Sequence, residues 1–261
     1  MISLEGRMYS VDQENSVYKI PVYEIFGPTI QGEGLHAGRR CMFVRTCLCN
    51  DHCSWCDSKY AWTTDNAKWM TQEEIFEAVK DKGCDTVILT GGNPCIHNFK
   101  TFCILCKKAG MKVEVETQGG LYPQWLIDTN LITFSPKVPS AGKNVKDHRN
   151  SIYEWLESVP GCWELDIVIK IPIFDDIDIE FAKQTFDTVR TRFGCRKEQH
   201  KFHFYLSVGN TDTSATGSIR DSVLADYYVF IEYLNAHPEG FEDVSILPQI
   251  HTLVWGNKEG V

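Results

Sequence analysis

Cys49, Cys53 and Cys56 stand in the pattern C-x-x-x-C-x-x-C within FVRTCLCNDHCSWCD (residues 43–57), directly after the apolar run Met42, Phe43, Val44. Thiolates are soft ligands that suit iron–sulfur clusters, and clusters that only carry electrons normally take four cysteines. A trio at this spacing can hold a four-iron cube while leaving one iron without a protein ligand. That open iron is a place where a small molecule can bind and react. Zinc is the competing reading, since Cys and His at short spacing also hold structural zinc, with Cys47, His52 or Asp57 as a fourth ligand. Structural zinc usually takes two ligand pairs on facing turns. The other close pair, Cys103 and Cys106, shares one side of a predicted helix with Phe99 and Phe102 and reads as core.

The elements that must position this loop follow from punctuation and periodicity. Residues 19–34 read as a short apolar strand and a glycine-rich turn, and 41–45 as the first core strand, with the cysteine loop leaving its C-terminal end. Thr71-Gln-Glu-Glu74 is a capping-box pattern and starts a helix over 71–82. Strands over 85–90, 111–117, 131–134, 165–171, 202–208 and 244–247 alternate with helices over 99–109, 179–193 and 219–236. Residues 138–150 read as a surface excursion. Strands separated by helices make a parallel sheet with right-handed crossovers. This predicts an α/β fold, a partial, open TIM-like barrel of about six parallel βα units. Functional loops of such folds lie at the C-terminal ends of the strands, and the cysteine loop, GGNP, ETQGG, SPK and SVGN each follow a strand.

The chain has 261 residues, enough for a substantial core. It is expected to form one domain over 1–261, with the substrate turn and cluster loop at 19–58 and an active-site tail at 244–261. No stretch approaches the roughly 20 apolar residues of a membrane span, and the first residues lack the charged-then-apolar pattern of a signal peptide. A cytoplasmic protein without a membrane partner is the expectation. The odd count of 11 cysteines, with no secretion signal, argues for reduced thiols. A formal charge of −9 argues against a nucleic-acid partner, whose affinity comes largely from Lys and Arg on phosphates.

Other motifs at strand ends add polar groups. Gly91 and Gly92 let the backbone approach a ligand closely, and Ser135-Pro136-Lys137 places a hydroxyl and an ammonium at the barrel mouth. Glu116 and Thr117 close MKVEVET, where a carboxylate could hold a ribose hydroxyl or cap a helix. His251, read alone, is more readily a satisfied helix histidine than a catalytic group.

With Trp55 as its aromatic, C-x-x-x-C-x-aromatic-C resembles the loop of the radical S-adenosylmethionine (SAM) superfamily. EIFGPTIQGEG (24–34), the cysteine loop through Ser58, TGGNP, ETQG, SPK and the ending LPQIHTLVWGNKEGV together resemble the 7-carboxy-7-deazaguanine synthase family over most of the chain. Three departures stand out: Leu48 where that family usually has Gly, Cys47 two positions before the first cluster cysteine, and Asn93 in place of the Glu of a GGEP element that receives the methionine amino group. The resemblance implies a radical SAM core that converts 6-carboxy-5,6,7,8-tetrahydropterin to 7-carboxy-7-deazaguanine with loss of ammonia, a lyase step of queuosine and other 7-deazapurine biosynthesis. It implies that SAM is regenerated and that its 5′-deoxyadenosyl radical takes the hydrogen. The implied 4Fe-4S ligands are Cys49, Cys53 and Cys56; SAM contacts fall on Trp55, Cys56, Asp57, Gly92, Ser135, Pro136 and Lys137; Ser58 holds Mg2+. Substrate contacts fall on Ile30, Gln31, Gly32, Arg45, Thr90 and the terminal carboxylate of Val261, with Glu33 and His251 as candidates for proton handling. Arg45 could otherwise pair with an acidic neighbour, and Ser58 could otherwise cap its loop. A homodimer and a flavodoxin or ferredoxin reductant are also implied.

Two alternatives differ in kind. A glycyl-radical activating enzyme shares the cysteine spacing and acts on a partner protein, but it leaves QGEG and the closing segment unexplained. A non-enzymatic iron–sulfur or zinc module is distinguished by metal content. For the Val261 carboxylate the expectation is concrete: a tag fused after Val261 removes a charge-assisted contact worth about 1.5–3 kcal/mol and raises the apparent substrate-binding constant roughly 10- to 100-fold. The same tag before Met1 leaves it unchanged. Equal steady-state constants for the two fusions remove Val261 from the site.

Overall fold

In the computed structural model, which describes residues 18–159, 165–194, 200–210, 212–213, 215, 219–258 and 260, the strands join into one nine-stranded sheet. They are β1 (Ile20–Ile30), β2 (Arg40–Thr46), β3 (Lys68–Met70), β4 (Thr86–Gly91), β5 (Lys112–Thr117), β6 (Leu131–Phe134), β7 (Leu165–Ile173), β8 (His200–Val208) and β9 (Val244–Pro248). Their order is β3-β1-β2-β4-β5-β6-β7-β8-β9. From β2 to β9 every neighbouring pair is parallel, whereas β1 runs antiparallel to both β2 and β3. The sheet is open, with β3 and β9 at its edges, as the alternation of strands and helices predicts. Among the described residues no helix is long and apolar enough to cross a membrane.

The helices are α1 (Gln72–Val79), α2 (Lys100–Lys108), α3 (Arg149–Ser158), α4 (Asp176–Phe193), α5 (Arg220–Ala236) and α6 (Ile250–Trp255). The predicted capping box starts α1: the Thr71 hydroxyl accepts from the Glu74 N–H at 3.2 Å, and the Glu74 carboxylate accepts from the Thr71 N–H at 2.8 Å. Three elements were not predicted. β3 is too short to show a period. α6 has only six residues. α3 begins inside the predicted surface excursion, although its buried Ile152, Tyr153, Trp155 and Leu156 carry helical spacing. β5 and β6 are joined by a 3-10 turn over Gln124–Asp128, which follows Pro123 and buries Trp125 and Leu126.

Because strand side chains alternate, the sheet has two chemically different faces. Val87, Leu89, Val113, Val115, Ile132, Phe134, Ile167, Ile169 and Ile171 pack outward against the helices, meeting Ile75 and Val79 of α1, Phe102, Cys103 and Cys106 of α2 and Phe186 of α4. Each such side chain contributes about 1.5–3 kcal/mol on burial, and Cys103 and Cys106 are core residues as expected. The alternate positions face inward. Cys41, Phe43 and Ile88 form a separate small apolar cluster there. Two residues further along the same strands Arg45 lies opposite Thr90. The inner face is thus an apolar floor with polar groups above it, toward the strand ends that carry the cysteine loop.

That loop is pinned by backbone. Leu48 has φ of 76°, a conformation that disfavours residues with a Cβ. Its N–H donates to the Ala61 carbonyl at 2.8 Å and its own carbonyl accepts from the Asn93 N–H at 2.7 Å, so the neighbours hold the conformation in place. This is a physical reason for the glycine that the resembling family carries here. Leu48→Gly should therefore change stability by less than about 1 kcal/mol, while β-branched Leu48→Ile should cost roughly 1–2 kcal/mol, read as the shift in urea midpoint.

Candidate active site

One cavity of about 510 Å3 opens at the C-terminal ends of the parallel strands. Cys49, Cys53 and Cys56 line it together with Trp55, Asp57 and Ser58, and with Ile30, Gln31, Gly32, Arg45, Thr90, Gly92, Ser135, Lys137 and His251. Residues spread over more than two hundred positions are therefore collected at one mouth. Pro136 is buried behind the wall rather than on it. Val261 lies outside the described residues, although Gly260 does line the cavity.

The three cysteines of the loop stand at one wall of this cavity. All three thiols are free and face the same cavity, yet among the described residues no three His, Cys, Asp or Glu side chains converge as one metal ion requires. Burial pushes all three thiols up, Cys53 to about 11, and the Lys137 ammonium pulls each partly back. Ligand binding to such thiols releases protons. Lys137 also sits 5.6 Å from the centre of the Trp55 ring, which stacks at 4.7 Å on Phe174. The Trp55 Nε1–H is buried without a partner among the described residues. This aromatic wall is suited to a flat base.

The same cavity is lined by hydrogen-bonded polar groups. The Glu116 carboxylate accepts from Gln31 Nε2 at 3.0 Å and from Thr90 Oγ1 at 2.8 Å, so its partners come from the inner face and it caps no helix. Arg45 Nε donates to Glu24 at 2.8 Å and its Nη1 to Ser58 Oγ at 3.1 Å. Both readings of Arg45 meet here, since an acidic partner fixes a guanidinium that still faces the cavity. Ser58 precedes the 3-10 turn Lys59–Ala61 without capping it through its side chain. Its hydroxyl donates to Asp57 at 2.9 Å instead.

The strongest electrostatic feature was not read from the sequence. Lys170 of β7 pairs with Glu33, and Glu33 also accepts from Gln249 Nε2 at 3.0 Å. Burial alone would raise the Glu33 carboxyl, but Lys170, His251 and the bonds from Lys170 and Gln249 together hold it at about 2. Burial likewise opposes the Lys170 charge, and Glu33 more than restores it, leaving Lys170 above its ordinary value. A lone lysine within LDIVIKIPI was the available signal. Its partner stands 137 positions away. The tail docks on the same hairpin: Ile250 N–H donates to the Gly32 carbonyl at 3.0 Å, and a Cβ on Gly32 would stand 2.3 Å from His251 Nδ1.

A three-cysteine cluster loop at the mouth of an open α/β barrel defines a radical SAM protein, and residues 43–158 match the Radical SAM superfamily profile. The chain is 39% identical over 251 residues to the 7-carboxy-7-deazaguanine synthase of Bacillus subtilis (strain 168), covering 93% of this chain and 98% of that protein. It is 36% identical to that of Bacillus cereus, covering 93% and 99%. The crystal structure of QueE from Escherichia coli has a similar fold, with a TM-score of 0.61 at 22% identity over 89% of this chain and 95% of that one. This chain belongs to the 7-carboxy-7-deazaguanine synthase family.

The buried pair yields a stability prediction. Glu33→Gln or Lys170→Met alone should lower unfolding free energy by roughly 3–5 kcal/mol, with the double variant losing less than the sum. Because the folded value of Glu33 lies below its ordinary 4.5, its contribution is present above that pH and is lost as pH falls toward 2. In Lys170→Met, urea titrations should show that acid-side loss much reduced.

Proposed function

We propose that this chain converts 6-carboxy-5,6,7,8-tetrahydropterin to 7-carboxy-7-deazaguanine with release of ammonia, within queuosine and other 7-deazapurine biosynthesis. The observation that carries this reading is the meeting, in one cavity, of three cluster-forming thiols with the polar groups Gln31, Arg45, Thr90, Glu116 and Lys170–Glu33. Cys49, Cys53 and Cys56 would hold a 4Fe-4S cluster, with SAM along Trp55, Cys56, Asp57, Gly92, Ser135, Pro136 and Lys137. When bound, these cofactors supply reductive one-electron cleavage of a carbon–sulfur bond and abstraction of a hydrogen atom, chemistry that no side chain provides.

The remaining work falls to the protein. Arg45, oriented by Glu24 and Ser58, offers its free N–H groups to a substrate carboxylate. Gln31, Thr90 and Glu116, already bonded to one another, present fixed donors and acceptors to a pyrimidinone edge, so little reorganisation accompanies binding. Ile30 and Gly32 contribute backbone. Ser58 and Asp57 supply hard oxygen atoms for Mg2+. Glu33, held at about 2, is ionised at neutral pH and acts as a fixed charge. Tail residues Gly256, Asn257 and Lys258 line the mouth and restrict water.

Two partners complete the reading. A flavodoxin or ferredoxin delivers the electron. A second copy of the chain covers the exposed apolar side of α5, where Leu224, Tyr228 and Val229 are 43%, 65% and 65% exposed.

Anaerobic incubation of reconstituted protein with SAM, a reductant, Mg2+ and 6-carboxytetrahydropterin should yield the deazapurine by mass analysis with SAM undiminished. Cys53→Ala should reduce turnover below detection. SAM cleavage without pterin conversion would reject the assigned substrate.

A further inference from the structure

Asn93 occupies the position where a carboxylate would be expected to face the methionine end of SAM, yet its side chain is committed elsewhere. The residue is fully buried and does not line the cavity, although Gly91 and Gly92 before it do. Its orientation follows from one backbone group. Asn93 Oδ1 accepts from the Cys95 N–H at 3.2 Å, and a backbone N–H can only donate. The Asn93 Nδ2 amide therefore points the other way, donating to Asn50 Oδ1 at 2.9 Å.

The rest of the network inherits that polarity. Asn50 Oδ1 also accepts from Gln118 Nε2 at 2.5 Å, and Thr117 Oγ1 donates to Asn93 Oδ1 at 2.9 Å. Asn50 lies between the cluster cysteines Cys49 and Cys53, while Thr117 ends β5 and Gln118 begins the loop after it. The main chain repeats the connection, since the Asn93 N–H binds the Leu48 carbonyl. One buried amide thus ties the cysteine loop, the GGNP turn and the ETQG loop into a single unit. A carboxylate at position 93 would place an acceptor against the acceptor Asn50 Oδ1, leaving the oxygen at the buried position 93 without a donor there.

Resting on the function proposed above, we propose that Asn93 is a positioning residue: an uncharged strut that sets the cluster loop through Asn50 and itself makes no contact with SAM. Restoring the family's glutamate then harms the site.

The test uses the full chain, reconstituted anaerobically, with three readouts: iron retained after desalting, the SAM-induced change in the electron paramagnetic resonance signal of the reduced cluster, and thermal unfolding of the metal-free protein. Asn93→Asp and Asn93→Glu should each raise the SAM concentration for half-maximal spectral change at least ~10-fold. Asn50→Asp, which keeps the acceptor, should stay within about threefold of wild type, whereas Asn50→Leu should behave like Asn93→Asp. If the Asn93 variants do not fold, Thr117→Val against Thr117→Ser makes the same comparison through the hydroxyl alone, with only Thr117→Val impaired. SAM binding by Asn93→Glu that equals or exceeds wild type overturns the strut, as does an unaltered Asn93→Asp. Wild-type protein whose cluster ignores SAM would instead overturn the proposed function and the strut with it.

Discussion

The site depends on how closely two neighbouring parallel strands let their C-terminal loops approach. Thr46 and Gly91 are register partners across β2 and β4, and just beyond them the Gly92 N–H bonds the Thr46 carbonyl at 3.0 Å. A Cβ on Gly91 would lie 2.2 Å from the Thr46 carbonyl oxygen, and one on Gly92 would lie 2.1 Å from that of Leu48. Backbone cannot yield at such distances, so the two glycines are required by contact with the cysteine loop as much as by any ligand. The left-handed Leu48 is the other half of this constraint: the chain must turn sharply to offer its carbonyl to Asn93 and still deliver Cys49 to the cavity wall.

Above the apolar floor formed by Cys41, Phe43 and Ile88, every polar group that enters the barrel must find a partner. Glu116 is balanced by Gln31 and Thr90. Glu33 and Lys170 answer one another. A buried ion pair of this kind adds little net stability relative to apolar residues of the same size, and its value lies in fixing geometry. Here it couples β7, third from the β9 edge of the sheet, to the turn after β1. Ser207, which donates to Glu33 at 3.5 Å, and Gln249 bring in β8 and the segment after β9. Binding groups from opposite sides of the sheet are therefore held before any ligand arrives.

Local signals in the sequence reached far. The capping box, the strands ending in GGNP and ETQG, the core cysteines of α2 and the cluster trio each rest on spacing within a dozen residues, and each appears where that spacing places it. The family resemblance extended this to Gln31, Arg45, Thr90 and Lys137, which meet at one cavity although no pattern in the chain joins them. What stayed hidden required tertiary knowledge. Lys170 shows only as a charge out of place until β7 is set facing Glu33. Asn93 shows only as a substitution until the Cys95 N–H fixes which way its amide lies. β3 became a strand because β1 offered it an edge, through Ile20, Pro21 and Val22.

The docking of the tail on the hairpin after β1 has a consequence for how the chain tolerates change. Gln249 and Glu33 bond across 216 positions, but the entropy of closing a loop grows only with the logarithm of its length, about 0.6 kcal/mol per doubling. Lengthening an exposed connection between these ends is therefore nearly neutral for the docking. A single methyl group at position 32 is a different matter, because it meets the His251 ring directly. Tolerance to change in this docking is thus set by atomic clearance and hardly at all by distance along the chain.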